Sequence, residues 1–319
     1  MQPPDRIFIM KKFPDFNVPG FDIETYNERF KKSNVVIHAT SKDVSYPEHW
    51  GCLSIKCAFN GEEHYQSGNC FYSVNNKNYL IFNEGKSYSS HIFSKTQVES
   101  FTVNFSSAFE EEIVNSLLQS HDHMLDNFEH LSHHKVEFIE KLYRHDEIVS
   151  PVLFKLYKFS SLAKPDYNLI DETYNELLEK LLLLQRHVAK EIQKVNAIKT
   201  STKMELYKRL HYAKDYIDSC YTSQITLDKL SNIACFNSAY FLREFKKYFH
   251  FTPYQYIIQK RLELAKNLLE IQDASITEIC FTIGYEDIGS FAKLFKSRFK
   301  LSPEAYQQQH FKKKSIFTC

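Results

Sequence analysis

No run in this sequence of 319 residues approaches the roughly 20 apolar residues that a helix needs to cross a bilayer. The nearest candidate, LLEKLLLLQRHV, is interrupted by charges. The amino-terminal MQPPDRIFIMKKF lacks the ordered charged, apolar and small-residue zones of a secretory leader, so a cytoplasmic location with no membrane partner is expected. The seven cysteines are odd in number and include no CxxC pair, which fits reduced thiols. Also missing are a glycine-rich phosphate loop, a G-x-S-x-G elbow and an HExxH helix, and with them the usual signs of nucleotide, nucleophilic or zinc-hydrolytic chemistry. Neither an enzymatic role nor a cofactor is expected. Charge of one sign is lacking too: 40 basic residues face 39 acidic ones.

That balance hides an asymmetry. From residue 200 onward there are 18 basic and 12 acidic residues, a net of +6, which leaves −5 for the preceding residues. A basic C-terminal module on an acidic body is the distribution expected if only the former meets phosphate. The run Lys312 to Lys314 could add nonspecific attraction to it.

Within the basic segment a single structural sentence is written twice. Leu227, Leu230, Phe241, Phe245, Lys246, Phe249, Pro253 and Tyr256 return as Ile276, Ile279, Phe291, Phe295, Lys296, Phe299, Pro303 and Tyr306, at an offset of 49 before a turn and 50 after it. Each copy reads as a short helix, a turn and a longer helix. In the first, TLDKLSNIA carries apolar residues at helical spacing, CFN makes the turn, and Asn237 caps SAYFLREFKKYF. In the second, Gly284 supplies a left-handed residue in IGYED and Asp287 caps. Phe241, Phe245 and Phe249, like Phe291, Phe295 and Phe299, fall four apart and should form the buried stripe of each longer helix. The opposite faces carry cations, as a helix lying in the major groove requires.

A third helix joins the copies. Thr252 and Gln255 form a capping box around Pro253, and Tyr256, Ile257, Leu262, Ala265, Leu268 and Leu269 give it an apolar side. Residues 206–308 resemble the C-terminal DNA-binding domain of the AraC/XylS family of bacterial transcription regulators. The densest match is ITEICFTIGYEDIGSFAKLFKSRFKLSPEAY, with Ile276, Ile279, Gly284, Tyr285, Phe291, Phe295, Lys296, Phe299, Pro303 and Tyr306 in signature places. The sequence departs from the family at Cys235, where the turn often has glycine, and at His250 and Lys300, which replace a glycine before the Ser/Thr-Pro step. Gly289 stands where a polar residue is common.

The resemblance implies double-stranded DNA as partner, RNA polymerase as a further one, a homodimer, and an N-terminal domain responsive to a small-molecule effector. It implies DNA contacts from Ser238, Ala239, Leu242, Arg243, Lys246 and Lys247 on the first long helix, and from Ile288, Gly289, Ala292, Lys293 and Lys296 on the second. Arg243 is the best candidate for a guanine contact, and Lys293 is its counterpart.

The fold class expected is α+β: a β-rich, cupin-like region at about 35–105, helices at about 108–199, then an all-α domain over 200–319 with helix-turn-helix motifs at about 226–249 and 275–299. HWGCLSIKCAF, NCFYSV, YLIF and ESFTVNF read as strands separated by turn-forming segments. In the last, Phe101, Val103 and Phe105 alternate inward with Ser100, Thr102 and Asn104. Trp50, Tyr65, Tyr72, Tyr79 and Tyr88 could line an effector pocket or belong to a core. His49, His64 and His91 lie near strands without forming a compact ligand motif, and His121 and His123 form the only His-x-His. Cys52, Cys57 and Cys70 are too few for the cysteine cluster of a methyl-accepting repair sensor. Tyr174, Leu177, Leu181, Leu184 and Val188 lie near the a and d positions of a helix from about Ile170 to Ala197, which would pair with its twin in a dimer or pack on its own β domain. The rival readings are a cupin-type metalloenzyme fused to a DNA-targeting module and a nonspecific architectural DNA binder.

Overall fold

The strands of the N-terminal region form because β-branched and aromatic residues recur between polar turns. A computed structural model describes residues 6–15, 23–112, 137–195, 199–271 and 274–316. The pair His121 and His123 lies outside the described residues. The chain divides into two compact units, Met1–Lys208 and Arg209–Cys319. The division falls inside a helix rather than at the 199/200 boundary read from sequence.

In the first unit β1 (Ile7–Met10), α1 (Ile23–Lys32) and β2 (Asn34–Trp50) are followed by β3 (Ser54–Phe59), β4 (Glu63–Ser67), β5 (Cys70–Val74), β6 (Asn78–Phe82), β7 (Ser87–Asn104) and β8 (Leu142–Arg144). They form one sheet in the order β1-β2-β7-β3-β6-β8, with β4 paired to both β5 and β7. The long strands β2 and β7 run antiparallel from Val35 opposite Asn104 to Trp50 opposite Ser87. Pro47 falls where their register shifts, between Tyr46 and His49, which is where a residue without an N–H does no harm to the ladder.

One face of the sheet encloses a core containing Ala58, Tyr65, Tyr72, Leu80, Phe82 and Tyr88. The other is covered by α2 (Ser150–Ser161) and α3 (Tyr167–Gln193): Tyr157 meets Phe101 edge to face, and Tyr174 meets Phe105. Burial on both faces corrects the alternation expected for β7. Ser100, Thr102 and Asn104 are as buried as Phe101, Val103 and Phe105, because the polar set faces the enclosed side. The helical stretch expected after residue 108 is also interrupted, by β8, which pairs with β6.

The α3 stripe is used within its own unit. Tyr174, Leu177, Leu181, Leu184 and Val188 are all buried in the single chain, and the Tyr174 hydroxyl donates to the Asn104 carbonyl. That burial favours the second of the two alternatives read from the sequence, packing of this stripe on its own domain.

The second unit is helical. The helix α4 (Thr200–Cys220) is followed by α5 (Leu227–Ile233), α6 (Ser238–Phe249), α7 (Pro253–Ile271), α8 (Ile276–Thr282), α9 (Ile288–Phe299) and α10 (Pro303–Ile316). Among the described residues no helix is long and apolar enough to cross a membrane.

Candidate nucleic-acid interface

Each motif begins on a side-chain cap. Thr226 accepts from the Lys229 N–H and opens α5; Ser275 and Glu278 form a reciprocal capping box at α8. Asn237 accepts from Tyr240 N at 2.8 Å and Asp287 from Ser290 N at 2.6 Å, so α6 and α9 start where the sequence placed them. Thr252 and Gln255 bond reciprocally around the start of α7.

The buried stripes repeat in three dimensions. Phe241 and Phe245 have ring centroids 5.4 Å apart and Phe245 and Phe249 4.6 Å apart; Phe291, Phe295 and Phe299 give 5.7 and 4.6 Å. Between the paired helices the backbone is left-handed in both motifs, at Cys235 (φ 54°) and at Gly284 (φ 88°). A Cβ on Gly284 would lie 2.0 Å from the Thr222 carbonyl oxygen, so glycine is required there for space as well as for conformation. His250 and Lys300 end α6 and α9 in the same left-handed region, at φ 67° and 68°. The glycine replacements therefore leave the turn path intact.

With the phenylalanines inward, the opposite faces are open. Ala239, Leu242, Arg243, Lys246 and Lys247 on α6 are exposed, as are Ile288, Gly289, Lys293 and Lys296 on α9, with Ala292 half-buried beside them. Ser238 differs from these: its hydroxyl donates to Asp228 at 2.8 Å and lies 3.0 Å from the Ser231 hydroxyl, tying α6 to α5. The two helices are not equivalent in charge geometry. The Arg243 guanidinium lies over the Tyr240 ring, 5.0 Å from its centroid, and its Nε donates to Glu244 Oε1 at 3.0 Å. The side chains of Lys246, Lys247, Lys293 and Lys296 are exposed on the same two faces.

Two groups that sequence reasoning passed over hold this unit together. Asp218, near the end of α4, takes Lys214 at 2.6 Å, Lys260 at 2.7 Å and the Tyr256 hydroxyl at 2.9 Å, which joins α4 to α7. Burial raises the Asp218 pKa, but the ammonium groups of Lys214 and Lys260 outweigh it and hold the carboxyl below its ordinary range. Arg261 donates to three main-chain carbonyls, of Tyr221, Gly284 and Ser223, and so fastens the second turn. Glu244, also passed over, pairs among the described residues only with its neighbour Arg243 on the same helix. The i, i+4 spacing of Lys214 and Asp218 was the available signal for the first group; the carbonyl partners of Arg261 leave none.

In the β domain the five aromatic candidates separate. Trp50 is 75% exposed at the end of β2. Tyr79 stacks on Tyr143 and donates to Asp146, away from the enclosed core. Tyr65, Tyr72 and Tyr88 are in that core, beside two buried charged residues missing from the sequence reading, Lys56 and Glu63. The Lys56 ammonium donates to the Tyr88 hydroxyl at 2.8 Å. Burial pushes the Glu63 carboxyl above its usual range, and Glu63 Oε2 has no hydrogen-bond partner among the described residues. His64 and His91 face each other across β4 and β7 with rings 5.0 Å apart, and His49 packs on Tyr88. Among the described residues no three His, Cys, Asp or Glu side chains are grouped to hold a metal ion.

Comparison with known proteins bears on the second unit. The helix-turn-helix domain family matches residues 230–309. The chain is 36% identical over 94 residues to the uncharacterized HTH-type transcriptional regulator YdiP of Escherichia coli strain K12, covering 30% of this chain and 31% of that one. It is 34% identical over 84 residues to the HTH-type transcriptional regulator AlkR of Acinetobacter baylyi, covering 26% and 28%. The chain thus spans about a third of the length of the curated relatives it matches. Among solved structures, ToxT from Vibrio cholerae aligns over 86% of this chain and 98% of its own, at 14% identity and a TM-score of 0.35.

Proposed function

We propose that this chain, which carries an AraC-type helix-turn-helix domain in its C-terminal region, is a sequence-specific DNA-binding transcription regulator. The observation that carries the reading is the pair of capped helices α6 and α9, each with a phenylalanine stripe inward and an exposed cationic face outward. Laid in successive major-groove segments, their first two turns meet base edges while Lys246 and Lys296, farther along, meet phosphate. The relatives named as transcriptional regulators support a regulatory and non-enzymatic role. Promoter activation through contact with RNA polymerase is the expected mode, and the cytoplasm the expected location.

Arg243 reads guanine through a bidentate contact, whereas Lys293 acts as a movable point charge. Arg243→Ala should cost about 1–3 kcal/mol and relax the preference at one base pair. Lys246→Ala or Lys296→Ala should weaken binding evenly across sequences and lower the salt slope by about 1. Binding-site selection on wild type and variants tests both: two blocks of preference about 10 base pairs apart support the reading, and a logo unchanged by Arg243→Ala would demote that residue to a phosphate anchor.

A small effector is proposed for the enclosed side of the β domain. What favours that place over the exposed Trp50 is the buried Lys56 and Glu63 beside Tyr65 and Tyr88, with one carboxylate oxygen unpartnered among the described residues. Effector screening by thermal shift, with Glu63→Gln as the control, checks it; a ligand whose shift survives that change unaltered binds elsewhere.

A further inference from the structure

The two recognition helices differ at three positions that touch one another. Under the offset of 50, Tyr240, Arg243 and Glu244 on α6 stand where α9 has Ser290, Lys293 and Leu294. In the second motif Leu294 packs against the core, as its place on the helix predicts, and Lys293 is exposed. In the first motif the leucine position holds a carboxylate that is only 8% exposed. Such a group is costly unless paired. Its partner is the adjacent Arg243, whose Nε donates to Oε1 at 3.0 Å while the guanidinium is stacked over Tyr240 and the side chain stays 66% exposed.

The chemistry of that contact is directional. An arginine can meet guanine O6 and N7 side-on, through Nε and one terminal nitrogen, or end-on, through Nη1 and Nη2. Glu244 occupies Nε, so only the end-on fork is left for a base. A free arginine side chain would also lose rotamer freedom on binding DNA, and a guanidinium already held by a carboxylate below and a ring beside it has less to lose. We propose that Glu244 is a positioning residue for sequence reading: it fixes the Arg243 guanidinium so that its terminal fork addresses one guanine. This rests on the reading of α6 as a base-contacting helix. The Leu294 counterpart indicates that the fold itself does not need the charge.

The test uses the full chain and duplex DNA, first a randomised pool and then the selected site with each base pair varied in turn. Glu244→Leu, which copies the second motif, should keep the unfolding midpoint and at least the wild-type affinity for random duplex, because a negative charge near phosphate is removed. Its preference at one base pair, the one Arg243→Ala also relaxes, should fall about tenfold. Glu244→Gln, whose amide oxygen can still accept from Nε, should keep most of that preference. If Glu244→Leu melts early, Glu244→Met, closer in length to glutamate, takes its place. Loss of preference in Arg243→Ala with wild-type preference in Glu244→Leu overturns the proposal and leaves base reading by α6 standing. Wild-type preference in Arg243→Ala overturns the reading of Arg243 itself, and the role of Glu244 with it.

Discussion

Four non-glycine residues have positive φ among the described residues, and three of them end or turn the helices of the C-terminal unit: Cys235, His250 and Lys300. A left-handed L-residue costs roughly 1–2 kcal/mol, so these positions are tolerated because the caps and phenylalanine stripes around them fix the path. Gly284 is a different case. Its φ of 88° disfavours a side chain, and the Thr222 carbonyl oxygen would lie 2.0 Å from an added Cβ. Gly284→Ala should therefore destabilise the C-terminal unit by more than about 2 kcal/mol. Cys235→Gly should leave it within about 1 kcal/mol of wild type, relief of strain offsetting the extra entropy of the unfolded chain. Urea unfolding of the two variants checks the pair; equal effects would mean that the turns are not under the constraint described. Both positions were legible in the sequence as turn residues. The approach of Thr222, which comes from the loop between α4 and α5, was not, because nothing local to IGYED signals a distant carbonyl.

At the scale of elements, what was legible was what is local. The helices α5 to α9 follow from apolar spacing and from caps a few residues away, and the caps at Asn237, Asp287 and Thr252 stand as read. The β domain was harder because its polar residues do not mark its outside. Ser100 and Thr102 face an interior shared with Lys56 and Glu63, and the second half of β2, SKDVSYPEHW, has the composition of a loop although it is paired along β7. The α3 stripe was visible as a stripe, but periodicity cannot say what covers it. With Leu181 fully buried against its own unit, Leu181→Glu should cost about 3 kcal/mol or more and unfold the N-terminal unit, rather than yield a folded monomer. Circular dichroism and sedimentation on the variant decide between these outcomes. The α4–α7 joint makes a pH prediction. A carboxyl held below its ordinary pKa stabilises the fold fully above the unfolded value of 3.8 and ceases to do so as pH falls through the lower folded value. The C-terminal unit should lose stability below about pH 4, and Asp218→Asn should flatten that acid limb while lowering stability at neutral pH. An acid limb identical in the variant would move the pH sensitivity to other groups.

At the scale of the molecule, the charge asymmetry and the two compact units ask which stretch of chain is sufficient for binding DNA. The division at residue 208 cuts through α4, but the chemistry argues for keeping that helix whole. Leu210, Ala213 and Ile217 are buried, and Asp218 supplies the carboxylate that gathers Lys214, Lys260 and Tyr256. A fragment of residues 200–319 retains all of these and should fold and bind duplex DNA with an affinity that falls steeply with salt, log affinity against log salt having a slope of about −0.9 for each phosphate neutralised. A fragment of residues 222–319 keeps both motifs but leaves Lys260 and the Tyr256 hydroxyl without their carboxylate, so it should be far less stable. Residues 1–199, net −5 by charge, should not bind. Salt-dependent binding and thermal unfolding of the three fragments check the argument together. A folded 200–319 fragment without DNA affinity at low salt, alongside binding by 1–199, would reverse the assignment of the two units; full stability in 222–319 would reduce the Asp218 cluster to a local tie.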